Sequence, residues 1–289
     1  MNSRLSLEEV TAILLNEHQS TYSGSIPPKA LNKILYFAAK ELEDENVTAD
    51  IPYFWYMYGT EVKTTNTGIR SVSTEDGQRI QCDTGIEDIE APHEIVRKAR
   101  KAVSRSLDKY YSETLEGITD EMYEEAPYDV QRIYRELDTQ IGVAADSNQA
   151  TLFGDNNRKQ IRRNLLDFVQ AFPTADFPAY EDDLMIWYRV MRAELNDADF
   201  DAEEVDRLAT KFWRLFCLEL ACRENNGVSR EEIESERDIS DIKAEKEAMR
   251  ADLLERERTN ARQNARETET ALKAAEALIV PFLDVEVTG

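Results

Sequence analysis

Leu7, Val10, Ile13 and Leu14 recur at helical spacing behind Ser6 and Glu9, a capping-box pair, and predict a first helix over Leu7 to His18. Ser23 to Ile26 breaks the pattern. Pro27 and Pro28 then open a second helix in which Leu31, Ile34, Leu35, Ala38 and Leu42 share one face, Pro28 supplying the φ of a first turn. Ile51 to Tyr58 is aromatic-rich and strand-forming, with Gly59 as its stop. Between Arg70 and Asp83 the run SVSTEDGQRIQC reads as two short strands about an Asp76-Gly77 turn. A helix over His93 to Leu115 follows, its apolar side made of Ile95, Ala99, Ala102, Val103, Tyr110 and Leu115. A segment from Thr119 through Met122 and Tyr123 comes next. Beyond Pro127, Val130, Ile133, Tyr134 and Leu137 form a further helix.

Gly142 to Asn157 is poor in aliphatics and reads as a linker or surface loop. Three apolar helices follow, over Ile161 to Phe172, Leu184 to Leu195 and Val205 to Cys222, the last ending before Gly227. Ser229 to Arg266 differs in kind. About half its residues are charged, and it has neither Gly nor Pro. Pairs at three or four residues, Glu247 with Arg250, Asp252 with Arg256 and Glu255 with Arg258, favour one long exposed helix reaching about Ile279. Ile242, Met249 and Leu253, then Ala261, Ala265, Thr268 and Leu272, form a thin seam along it, through which two copies of the chain can pair. The tail Leu278 to Val287, stopped by Pro281, reads as a docking strand or loop.

The fold class is therefore mainly α (α+β). An N-terminal helical module with a small β element spans residues 1–141, a linker 142–158, a helical bundle segment 159–227, and the charged helix with its apolar tail 228–289.

Charge changes the picture of partners. The 58 Asp and Glu against 35 Lys and Arg leave a net charge of −23 and a pI near 4.6, and such an envelope repels phosphate. Arg outnumbers Lys roughly two to one. That balance resembles proteins of salt-loving archaea, where multimolar salt shortens the Debye length to ~3 Å and screens self-repulsion. No stretch approaches the ~20 apolar residues of a membrane span, and Met1 to Val10 has no apolar signal core, so a cytoplasmic protein is expected.

Candidate chemistry is sparse. Cys82, Cys217 and Cys222 form no CxxC, the latter two falling in an apolar helical run as core residues. Only His18 and His93 can move protons near neutrality, and His18 sits where a charge partner of a helix C-terminus would. Nucleophile-elbow, zinc-protease and phosphate-loop motifs are absent. Neighbouring carboxylates such as Glu181, Asp182 and Asp183 arise by chance in so acidic a chain. The expectation is no enzyme activity, no metal and no cofactor.

Two features suggest binding instead. Arg97, Lys101, Arg105 and Lys109 repeat every four residues as a basic ridge. It either pairs with local acids such as Asp120, Glu121, Glu124 and Glu125, or docks an acidic partner or nucleic acid. A lesser ridge, Arg258, Arg262 and Arg266, reads as a solvated face. Tyr53, Phe54, Trp55, Tyr56 and Tyr58 crowd one strand. Either helices cover both its faces, or the surplus lines a protein-binding groove.

The run Pro28-Lys29-Ala30-Leu31-Asn32-Lys33-Ile34-Leu35-Tyr36-Phe37-Ala38, followed by Phe54-Trp55-Tyr56-Met57-Tyr58-Gly59, resembles the opening of the Panacea domain of toxin–antitoxin and phage-associated proteins. In that family a helix of the form K-L-x-K-L-L-Y-x-A precedes an aromatic strand ending in Y-G-P. Here Thr60 stands in the place of the proline, and the second half of the chain lies outside the resemblance. The resemblance implies a mainly helical module that neutralises a protein partner, such as a cognate toxin, by direct binding. The positions it brings over are Leu31, Lys33, Tyr36, Tyr56, Tyr58 and Gly59, with Trp55 beside them. Lys33 and the exposed tyrosines would be the contacts. The alternative is a winged-helix-like DNA-associated regulator built on the Asp76-Gly77 hairpin and the Arg97 to Lys109 ridge.

Overall fold

The computed structural model describes residues 4–74, 77–146, 154–197 and 200–283. Helices dominate, with a few short strands, as the mainly α reading requires. Two compact units are present, and each is discontinuous in sequence. One comprises residues 1–135 and 213–242, the other 136–212 and 243–289.

In the first unit, β1 (Arg4–Leu5) pairs in parallel with β2 (Thr48–Ala49). Helix α1 (Leu7–Thr21) starts at the expected box. Glu9 N donates to Ser6 Oγ at 3.2 Å, and Ser6 N donates to the Glu9 carboxylate at 2.8 Å. Helix α2 (Pro28–Asp44) buries the predicted face, Leu31, Ile34, Leu35, Ala38 and Leu42. Its apolar stripe meets that of α1 and that of α3 (His93–Ser112), where Ala99, Ala102, Val103 and Leu107 complete one core. Burial of this kind is worth roughly 25 cal/mol per Å² of apolar surface removed from water. Helix α3 stops short of the expected Leu115 because the Thr114 hydroxyl accepts from Gly117 N at 3.0 Å and caps a new helix, α4 (Leu115–Glu124).

The aromatic strand is β3 (Tyr53–Tyr56), and it does not end at Gly59. A two-residue turn of Met57 and Tyr58 returns the chain as β4 (Gly59–Val62), with Tyr56 opposite Gly59 and Tyr53 opposite Val62. The other edge of β3 pairs with a two-residue strand that arrives late in the chain, Asn225–Asn226. The second hairpin joins β5 (Ile69–Thr74) to β6 (Gly77–Cys82). Thr74 pairs with Gly77, so Gly77 belongs to the strand at φ +118, and residues 75–76 lie outside the described ones. Ile69 and Ile80 turn this hairpin's apolar side into the core.

Helix α5 (Asp129–Asp146) follows Pro127 as predicted and runs into the expected linker, of which residues 147–153 lie outside the description. Helix α6 (Gly154–Ala171) begins within the rest of it. The expected boundaries run along the chain, whereas the two units interleave. The division falls inside α5 and inside α8 (Ala202–Arg223). The second unit packs α6 and α7 (Glu181–Asn196) with the first part of α8 around Phe168, Trp187 and Phe212. The Trp187 and Phe212 rings stack at 4.5 Å, and the Trp187 indole donates to Leu208 O at 3.1 Å.

The single charged helix expected from Ser229 is two helices. Ser229 and Glu232 form a capping box that starts α9 (Arg230–Glu236). Asp238 at φ +52 then breaks the chain before α10 (Ile242–Leu283). The reason is burial. Ile233, Ile239 and Ile242 are all buried, yet at about 100° per residue a continuous helix would place Ile239 about 120° and Ile242 about 180° around the helix from Ile233. Within the second unit Met249 and Leu253 of α10 are buried, whereas Ala261, Ala265 and Thr268 are exposed, so the predicted seam holds only in part. Of the expected charge pairs, Asp252 with Arg256 and Glu255 with Arg258 form, but Arg250 turns to Asp182 and Asp183. The backbone stays helical through Pro281 to Leu283, in place of the expected strand or loop, and residues 284–289 lie outside the description.

Candidate functional site

Helix α2 and the β3–β4 hairpin carry six of the predicted residues within the first unit. Lys33 sits on the flank of α2 and is only 9% exposed. Its ammonium donates to Tyr58 O at 3.3 Å and lies 3.7 Å from the Met122 sulfur. Among the described residues no carboxylate forms an ion pair with it. Burial first, and the Arg135 guanidinium second, pull its pKa down to about 8.

Tyr36, one turn further along α2, donates to the Glu125 carboxylate at 2.8 Å and packs edge-on against Tyr53 and Trp55, at 5.6 and 5.9 Å. Burial raises its pKa. Phe54, Trp55 and Tyr56 are all buried, so of the two readings of the aromatic strand the covered one describes most of it. Arg237 lies over the Tyr56 ring at 4.1 Å and reaches Glu61 at 2.5 Å. Tyr58 is the exception at 53% exposed, because it occupies the turn between two strands.

Gly59 owes its place to that turn. Its φ of +126 is one an L side chain rarely adopts, and a Cβ there would stand 2.9 Å from the Met122 methyl and 3.7 Å from Lys33 Nζ. The turn itself is tied down through Met57 O, which accepts from the Tyr123 hydroxyl and, at 3.3 Å, from the Trp213 indole. Asn32 Oδ1 accepts from Val62 N at 3.2 Å, anchoring β4 to α2.

Two grooves meet at this turn. One, about 500 Å³, is walled by Lys33, Gly59, Thr60, Thr119 and Arg135. The other, about 470 Å³, is walled by Leu31, Tyr56, Val62, Ile80 and Arg237. Lys29, Asn32, Tyr58 and Glu61 belong to both. The hairpin tip is thus a ridge with an exposed aromatic ring between two depressions. Thr119 and Arg135 carry no sequence signal for the site. β4 has no run of alternating apolar residues, and Arg135 arrives from a helix about a hundred residues downstream of α2.

The basic ridge of α3 is engaged elsewhere. Arg97 pairs with Glu94 at 2.6 Å, Lys101 with Glu45 at 2.8 Å, Arg105 with Glu41 and Glu45 at 2.6 and 2.7 Å, and Lys109 with Glu121. Two of the four therefore meet the acidic exit of α2, and only Glu121 of the anticipated acids meets the ridge. Asp120 takes Arg135 at 2.5 Å, and Glu125 takes Lys40. The hydrogen bonds from Lys101 and Arg105 hold the Glu45 pKa below the usual carboxylate range.

His18 lies in the last turn of α1, as expected, but its surroundings favour the neutral ring. Its ring is buried, stacks on Tyr22 and lies 2.7 Å from the Tyr111 hydroxyl through Nε2, and burial lowers its pKa. Cys217 is fully inside and burial pushes its thiol well up in pKa, while Cys222 is half-buried and raised to about 11, so burial opposes the thiolate form at both. Asp183, wholly buried, meets Arg250 at 3.2 Å and Lys246 at 3.6 Å, a tie within the second unit. Among the described residues no three His, Cys, Asp or Glu side chains converge on one metal-sized point, and no helix is long and apolar enough to cross a membrane.

The chain matches no protein-family model, no curated protein and no solved structure. The family reading therefore rests on the residues of Pro28 to Gly59 themselves.

Proposed function

We propose that this chain is a non-enzymatic, antitoxin-like or phage-defence-associated module that holds a partner protein at the β3–β4 turn. The observation that carries the reading is Tyr58, a half-exposed ring on a turn fixed by buried aromatics, with a groove on either side. Tyr is enriched among interface hot spots because it offers a large, stiff contact surface with a polar end. A rigid base under it lowers the ordering cost of binding. The resemblance of α2 and β3 to the Panacea opening supports the same class of activity. The winged-helix alternative has no comparable support, since the cations it needs lie in ion pairs and the apolar side of the second hairpin faces the core.

Co-expression with the neighbouring reading frames of the native genome supplies the candidate partners. Tyr58→Ala is expected to weaken the resulting complex by about thirtyfold, the scale of a hot-spot loss near 2 kcal/mol, with far-UV helicity unchanged. Equal affinity of the two forms would remove the turn from the interface.

A further inference from the structure

We propose that the recess beside Lys33 is a binding site for a small oxyanion, a carboxylate or phosphate group seated against the Lys33 ammonium. This goes beyond the partner reading and stands without it. Four observations lead there. Lys33 is nine-tenths buried with only a carbonyl and a thioether for company, an arrangement that leaves the charge of an ammonium unanswered. Two further cations, Lys29 and Arg135, line the same recess in a protein with a net charge of −23. The Thr60 hydroxyl, on the wall of the recess and shut off from water, has no hydrogen-bond partner. Gly59 keeps the floor beside Lys33 Nζ free of a Cβ, at a backbone angle that favours glycine.

The acids nearby do not compensate Lys33. Glu61 is held by Arg237 at 2.5 Å, and burial raises its pKa toward the neutral form; Asp120 is engaged with Arg135 and Glu121 with Lys109. Arg135, fixed by Asp120, contributes field to the recess, and the direct contact falls to Lys33. An anion entering here would convert a desolvated charge into a charge-assisted hydrogen bond, which is stronger than a neutral one.

The test is an NMR titration of the Lys33 side chain in the full chain, with sodium phosphate and separately with sodium acetate, at constant ionic strength. Because the anion prefers the ammonium form, saturation is expected to raise the Lys33 titration midpoint by at least one unit, a tenfold preference. Lys33→Met is expected to weaken binding of the same anion at least tenfold. A response to phosphate alone assigns a phosphate group, and a response to acetate assigns a carboxylate. If neither moves Lys33, or if Lys33→Met binds as tightly as the natural chain, the site does not exist. Should that variant fail to fold, the titration of the unaltered chain decides alone.

Discussion

Lys33 is the residue at which packing and charge conflict most openly. A side chain held 9% exposed without a carboxylate is expected to lower stability while it stays protonated. The unfolded chain keeps the Lys33 proton to its ordinary pKa of 10.5, whereas the folded chain releases it near 8. Between those values the unfolded state binds more protons, so this group makes stability rise with pH, and below pH 8 its full cost is present. Lys33→Met, which fits beside Met122, should therefore stabilise the fold at pH 7 by on the order of 2–3 kcal/mol, and by less at pH 10. Urea unfolding at the two pH values checks this. A loss of stability at both would mean that the bond to Tyr58 O is the reason the lysine is there. A gain in stability on that substitution would favour the proposed binding role of Lys33 over a role in holding the fold, whereas the cations of α3 already lie in ion pairs.

At the scale of elements, local chemistry and long-range packing divide what can be read from the chain. The start of α1 at Ser6, the opening of α2 at Pro28, the break at Pro127 and the buried face of α2 follow from caps, proline geometry and period, all properties of near neighbours. The turn at Met57 and Tyr58 lacks the Asn-Gly type of signal, and β4 has only one aliphatic residue in four, so the hairpin that carries the candidate site is not legible in the sequence. Its geometry comes from distant groups: Asn32 on Val62 N, Tyr123 and Trp213 on Met57 O. Of the candidate site's residues Lys33 and Tyr58 can be picked out, while Arg135 and Thr119 cannot, because only the fold brings them beside the hairpin. The break between α9 and α10 is hidden from the sequence for the same reason, since charge pairs favour helix everywhere along that stretch and buried isoleucines decide where it stops. Helix α10 is about 63 Å long at 1.5 Å per residue, and among its described side chains the buried ones, Ile242, Met249 and Leu253, lie in its first part. Leu253→Ala should lower stability by about 2–5 kcal/mol, whereas Ala265→Ser should change it by less than about 0.5 kcal/mol. Comparable losses from both in thermal unfolding would show that the distal helix is also covered.

For the whole molecule, charge sets the conditions and shape sets the function. With 58 acids and 35 bases the chain repels itself and most polyanions, so under the proposed function recognition falls to local exceptions. The first unit holds such an exception, an exposed ring between two grooves, one lined by Lys29, Lys33 and Arg135 and the other by Lys29, Arg70 and Arg237. The measurement that bears most directly on this account is amide hydrogen exchange of the full chain with and without its co-purified partner. Protection is expected over residues 56–61 and the adjoining first turns of α2, with the Arg97 to Lys109 face of α3 unchanged. Protection confined to that face of α3 or to the β5–β6 hairpin, with residues 56–61 exchanging as before, would contradict it.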